Sequence, residues 1–342
     1  VARQAVEKSW LPHDWYLNLA GPYREAFNLL GGNLLAAGIG FQWGALLLRL
    51  LVYAFLAYGF YSLFRALKLR FVYMLLALLI FIPHQSLIAQ EWVVGGVEAK
   101  AVAYGFVLLT AAAFIEKRYW RGFAFAGAAF SFHALVGIYS LFAIFGALVL
   151  NKGEYRRDWR VIGKSAWIFP LTGIFGLFAI FGYIANVQDG GGAAVSRAYT
   201  LYVAFRNPHH TLPSYWAGRM WIARFLFGVA LLGAVYCFSR SPRRRFYAAY
   251  ALSSSVLFVI GLGLFALGKI PALRYYWFRL PDVMLPLGVS VVVAFIAGEL
   301  VSGQGRLGQL LERPQMGAGL ENPANQIGGV RDTRHHNSTS GP

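Results

Sequence analysis

From Gly44 to Phe64 the chain is almost wholly apolar, and comparable runs recur towards its end. The hydrocarbon core of a bilayer takes about 20 such residues in one helix. The other membrane-crossing architecture, a β-barrel, alternates apolar and polar residues along each strand, and these runs do not alternate. Composition agrees: 58% of the residues are hydrophobic and 13% charged, where soluble domains carry about a quarter charged. The sequence therefore predicts an all-α, polytopic integral membrane bundle.

Taken in order, residues 1–43 read as an extracytoplasmic loop with amphipathic, interface-lying helices, one over Leu17–Leu30 and a further short one over Asn33–Trp43. Residues 44–300 read as the membrane domain, with about eight or nine segments of spanning character. Spans are expected at Gly44–Phe64, Phe71–Ile82 (an extension to Leu87 is left open), Ala101–Ile115, Ala166–Ile184, Trp216–Phe238, Tyr247–Leu267 and Leu285–Ala297. Gly122–Leu150 has the length of one tilted helix, yet it is basic at both ends. Two short helices meeting at Ser131-Phe132-His133 keep both ends on one side, so a helical hairpin with His133 near its apex is expected. Residues 301–342 read as a disordered cytoplasmic tail. Their His335-His336 pair is expected to be incidental to any metal site. The chain starts without Met or a signal-peptide pattern, so it is expected to begin inside a longer protein or to be processed.

A net charge of +17 invites a nucleic-acid partner. The positions of the basic residues exclude that reading. They gather after alternate spans, at Arg65, Lys68 and Arg70, at Lys117, Arg118 and Arg121, from Lys152 to Lys164, and from Arg240 to Arg245. This is the cytoplasmic bias of membrane loops. No phosphate-binding GxxxxGK[ST], HExxH or GxSxG pattern occurs, and the single cysteine, Cys237, sits inside an apolar run.

The unusual polar residues fall on the opposite face: Asp14, His84, Gln85, Glu91, Glu98, Lys100, His133, Arg206, His209, His210, Arg274, Arg279 and Asp282. Ionisable groups at membrane depth are expensive and are paired or functional. Glu98 and Lys100 read either as an interfacial pair or as a carboxylate orienting a substrate hydroxyl beside a cation. His133 reads either as a satisfied core histidine or as a substrate contact. Arg206, His209 and His210 sit on a loop whose Pro208 and Pro213 fix its shape. Adjacent histidines rarely bind one metal without further ligands, so no zinc site is expected there. Arg279 can pair with Asp282 or offer its planar fork to a phosphate, and both readings stay open.

Several short motifs resemble those of uncharacterised bacterial multi-span proteins similar to the GT-C superfamily of integral membrane glycosyltransferases. They are Leu11-Pro12-His13-Asp14-Trp15-Tyr16-Leu17-Asn18, Glu98-x-Lys100-x3-Tyr104, Phe132-His133 and Arg206-x-Pro208-His209-His210. The resemblance implies a GT-C-like fold in the bacterial cytoplasmic membrane with its site facing the periplasm. It also implies a polyprenyl-phosphate-linked sugar as donor, with membrane lipid and lipid-linked sugar as partners and a divalent cation left open. Asp14 or Glu98 would then deprotonate the acceptor. Arg206 and Arg279 would stabilise the leaving phosphate, while Lys100, His133, His209 and His210 would contact sugar or phosphate. Two other classes compete: a non-catalytic subunit of a membrane complex with protein partners, and, further off, a transporter, for which the chain shows no convincing internal repeat.

Overall fold

The computed structural model describes residues 25–187, 192–216, 218 and 220–302, with isolated positions near the N-terminus. The chain divides into the unit Val1–Gly298 and a short unit, Glu299–Pro342. Of the second, only the last turn of the final helix is described. The expected tail beyond residue 302 and most of residues 1–24, including Asp14, lie outside the described residues.

Every regular element among the described residues is helical. In chain order these are α1 (Glu25–Ala36), α2 (Phe41–Ala66), α3 (Phe71–Phe81), α4 (Ala99–Ile115), α5 (Tyr119–Phe132), α6 (Ala134–Leu150), α7 (Lys152–Tyr155), α8 (Trp159–Ser165), α9 (Ile168–Thr172), α10 (Ile174–Val187), α11 (Gly192–Leu201), α12 (Pro208–Thr211), α13 (Met220–Phe238), α14 (Pro242–Ala266) and α15 (Arg279–Ser302). Four of them, α2, α13, α14 and α15, are long and apolar enough to cross a membrane. This is the composition of an integral membrane protein. The helix pair Trp159–Thr172 and Ile174–Gly182 passes the same test together but is bent by 62°. Shorter apolar helices cover Phe71–His84, Ala99–Ile115 and Ala134–Leu150.

Several boundaries differ from the sequence reading. No separate helix covers Asn33–Trp43, because the backbone turns at Gly38, whose φ of +79° suits glycine. The second apolar segment stops at Phe81 and tightens into a 3₁₀ turn over Ile82–His84, where Pro83 has no N–H to continue an α-helix. The expected span over Ala166–Ile184 is instead broken near Gly173, where the two helical parts meet at 62°. The next span starts at Met220, leaving Trp216 buried in the loop before it. The last helix begins at Arg279, well before Leu285.

The main core joins α2, α4, α5, α6, α14 and α15 through fully buried aromatic side chains such as Phe64, Tyr104, Phe114 and Phe246. A smaller cluster, including Ala89, Val203, Trp216, Phe258 and Phe278, underlies the loops described below. Of the four long helices α13 is the most peripheral: 11% of its apolar window is buried, against 61% for α15.

Contacts sort the loops into two ends. Arg243 donates to the Ala66 carbonyl, Tyr119 donates to Asp158, and the rings of Tyr155 and Phe246 pack with centres 5.3 Å apart. These bring the basic stretches together. His133 lies away from that end, as the extended residue (φ −153°, ψ 99°) between α5 and α6. The helices approach closely just beyond it: a Cβ on Gly137 would lie 2.3 Å from the Phe130 Cα. We expect Gly137→Ala to destabilise the protein by about 1–3 kcal/mol, read as a lower thermal midpoint in detergent. An unchanged midpoint would contradict this packing.

Candidate functional site

The polar residues of the other end are organised by the segment between α3 and α4. Residues 85–98 have no regular structure of their own, so their backbone groups must find partners elsewhere. Two side chains supply them. Gln85 accepts from the N–H groups of Val93 and Val94 at 2.7 and 2.8 Å and donates to the Val94 carbonyl at 2.8 Å. Asp282, fully buried in the first turn of α15, accepts from Ile88 N–H (2.5 Å) and Ala89 N–H (2.9 Å) on one carboxylate oxygen. Its other oxygen accepts from Glu91 N–H (3.0 Å) and the Ser86 hydroxyl (2.7 Å). The Asp282 carbonyl also accepts from Leu87 N–H at 3.0 Å. A carboxylate at a helix N-terminus is favoured by the helix dipole, and here it ties that helix to the loop.

The loop thus fixed presents Glu91, of which 1% is exposed. Arg279 Nε donates to Glu91 Oε2 at 3.2 Å, and Lys100 Nζ lies 3.6 Å from Oε1. Lys100 Nζ is also 3.5 Å from Glu98 Oε2 and 4.1 Å from the centre of the Trp92 ring. The second nitrogen of the guanidinium, Arg279 Nη1, donates to His133 Nε2 at 2.8 Å. That contact makes Nε2 an acceptor, and the Val136 N–H lies 3.4 Å from the other ring nitrogen, Nδ1. Tyr276 caps the group: Arg279 Cζ lies 4.2 Å from its ring centre, and its hydroxyl is 2.8 Å from that of Tyr202. Tyr276 adopts left-handed backbone (φ 53°), a conformation that is strained for a bulky side chain.

A line of alternating charge therefore runs inward from half-exposed Glu98 through Lys100, Glu91 and Arg279 to His133. Burial makes the inner links, from Lys100 to His133, expensive to break, since a lone charge in an apolar site loses its solvation without compensation. One atom stands out. Glu91 Oε1 is buried and accepts no hydrogen bond among the described residues; Lys100 Nζ, its ion-pair partner, is 3.6 Å away. A buried carboxylate oxygen without a hydrogen-bond donor is costly.

The loop after α11 reaches the same group from the far side. A π turn over Tyr202–Arg206 leads into α12, with Pro208 at its first position, where a missing N–H costs nothing. His210 Nδ1 meets the Ala89 carbonyl at 2.5 Å, so the ring donates there. Segment 86–91 is thereby held by Asp282 through its N–H groups and by His210 through a carbonyl. His209 packs its ring 4.0 Å from that of His210 and accepts from Trp216 Nε1 through its carbonyl. Burial, above all, holds the His210 imidazole below its ordinary range. The unfolded chain then binds the proton more readily than the native one, so stability rises with pH through this window and falls as pH drops below about 6.5. We expect the thermal midpoint of the wild type to fall on acidification and that of His210→Gln to fall less. Parallel profiles would remove His210 from the acid response.

The structure thus gathers Glu98, Lys100, His133, His210 and Arg279 of the residues singled out from sequence, with His209 beside His210. Arg206 is exposed at the end of the π turn. Arg279 does not pair with Asp282: its carboxylate partner is Glu91, because the Asp282 side chain is consumed by the loop backbone. The central position belongs to Glu91, to which the sequence reading gave no role. Its only signal was an acidic residue between Gln90 and Trp92 in a short polar break. Among the described residues, no three His, Cys, Asp or Glu side chains come together to hold a metal ion.

Compared with known proteins, the chain matches no family model, no curated protein and no solved structure.

Proposed function

We propose that this protein is an integral membrane glycosyltransferase of the GT-C kind, acting on a polyprenyl-phosphate-linked sugar at the end of the helices where Glu91 lies. The charge bias of the loops supports a non-cytoplasmic placement of that end, and the resemblance supports the periplasm or exterior of a bacterial cytoplasmic membrane. The observation that carries the reading is the Glu91 carboxylate, buried between Lys100 and Arg279 with one oxygen lacking a hydrogen-bond donor. A group-transfer site needs a base for the acceptor hydroxyl and fixed positive charge for the departing phosphate.

In this proposal Glu91 Oε1 takes the proton of the acceptor hydroxyl as the oxygen attacks the anomeric carbon. The bond from that carbon to the phosphate oxygen breaks, and its electron pair leaves with the polyprenyl phosphate. Lys100 and Arg279 stabilise the charge that develops there. His133 orients Arg279 through its acceptor nitrogen, and Glu98, with its side chain 41% exposed, holds Lys100 in an ion pair rather than serving as base.

The test uses full-length protein in proteoliposomes with a radiolabelled polyprenyl-phosphate hexose and a bacterial membrane lipid extract as acceptor. Wild type is expected to transfer or release the sugar. Glu91→Gln, which keeps the shape, is expected to lose about 100-fold or more, the scale of a missing general base, and Glu98→Gln only a few-fold. A wild type without turnover, or a fully active Glu91→Gln, would refute the proposal.

A further inference from the structure

The basic end carries a charged surface that the proposed chemistry does not use. Many cations there are engaged. Lys117 pairs with Asp158 at 3.2 Å and Glu154 at 3.5 Å, Arg118 pairs with Glu116 at 3.3 Å, and Arg243 donates to the Ala66 carbonyl. Arg245 lies over the Tyr236 ring. Arg156, Arg157, Arg160 and Lys164 are all exposed and, like Lys68, Arg70, Lys152 and Arg240, their side chains have no ion pair, hydrogen bond or ring contact among the described residues; what sets these four apart is their spacing in one short run.

Two further facts sharpen this. The acidic residues nearest in sequence, Glu154 and Asp158, are drawn to Lys117, and Asp158 also accepts from the Tyr119 hydroxyl at 2.6 Å. The local negative charge is thus already spent on another cation. In addition, Arg160, Lys164, Trp167 and Leu171 follow at helical spacing, and all are exposed, Trp167 by 63% and Leu171 by 60%. Their stripe is basic in its first half and apolar in its second, while Ile162 and Ser165 on the opposite side are buried. It ends at the 62° bend before Ile174.

We propose that this stripe is a binding surface for anionic phospholipid. Headgroup phosphates sit against Arg156, Arg157, Arg160 and Lys164, with Trp167 at the level of the interface and Leu171 among the acyl chains. The charge matches a negative surface, the long side chains let guanidinium and ammonium groups stay wet while their stems lie along lipid, and an indole at the boundary is its preferred depth. The bend gives the first part of this broken helix the freedom to run along the interface before the chain turns into the apolar layer.

The test measures the lipid shell of the full chain reconstituted in phosphatidylcholine vesicles, using spin-labelled phosphatidylglycerol and spin-labelled phosphatidylcholine as probes. The motionally restricted fraction of each gives a relative association constant. Wild type is expected to prefer phosphatidylglycerol, less so in high salt. Joint replacement Arg156→Gln, Arg157→Gln, Arg160→Gln and Lys164→Gln should reduce the preference at least about fivefold, the weight of one cation at a membrane surface. The control pair Lys68→Gln and Arg70→Gln, exposed cations between α2 and α3, should leave most of it. The single variant Arg160→Gln should show a partial loss. A wild type without preference, a fourfold variant that keeps it, or a control pair that loses as much would overturn the proposal.

Discussion

Asp282→Ala is expected to be among the most damaging single changes at this end of the protein. It strips the acceptor from three backbone N–H groups, those of Ile88, Ala89 and Glu91, and from the Ser86 hydroxyl. The hydroxyl can rotate, whereas the N–H groups of Ala89 and Glu91 sit in buried residues with nowhere else to turn. At about 1–3 kcal/mol for each buried donor left unsatisfied, the loss is roughly 3 kcal/mol or more. Asp282→Asn retains one acceptor oxygen and turns the other position into a donor facing donors, so it should fall between. The measurement is the thermal midpoint together with amide exchange of residues 86–91. Rapid exchange confined to that segment, in a protein whose helices stay protected, is the expected pattern. Unchanged exchange there would show that the loop does not depend on Asp282.

The second large effect concerns Glu91 and Arg279. Arg279→Met leaves Glu91 buried with Lys100 at 3.6 Å as its remaining cation and takes the donor from His133 Nε2. Breaking a buried pair from one side costs about 3–5 kcal/mol, more than the pair itself contributes. The double change Glu91→Leu with Arg279→Met replaces both charges by apolar groups of similar size. It is expected to regain much of the stability and none of the sugar transfer. That combination separates two roles that either single variant would confound. A double variant as unstable as the singles would mean that Lys100 also needs the carboxylate to stay buried. A double variant that is stable and active would place the chemistry elsewhere.

The membrane character and the grouping of the basic loops were legible in the sequence, because apolar run length and charge position follow directly from the cost of charge in a bilayer. His133 was legible too, since basic residues at both ends of 122–150 demanded a break between them. The partners were not. Arg279 and Asp282 are three residues apart, and their pairing was one of two open readings, but their partners lie far off in the chain, in segment 86–91. No local pattern announces that a carboxylate in a first helical turn is needed by a distant loop. The broken span near Gly173 and the turn at Gly38 were visible as residues, yet the apolar runs around them suggested continuity. Glu91 stood among the unusual polar residues without a role, because burial, which singles it out, is a property of the fold.

The account rests on the Glu91 cluster being where a polyprenyl phosphate meets the protein, and site mapping by photo-crosslinking tests this most directly. A polyprenyl phosphate carrying a photoreactive group next to its phosphate would be added to the full-length protein in native-like lipid, and labelled peptides identified by mass spectrometry. The account predicts labels concentrated in residues 86–100, near His133, in 207–216 and in 276–282, and competed away by unlabelled polyprenyl phosphate. Labels confined to the lipid-facing surface of α13, insensitive to that competitor, would contradict it.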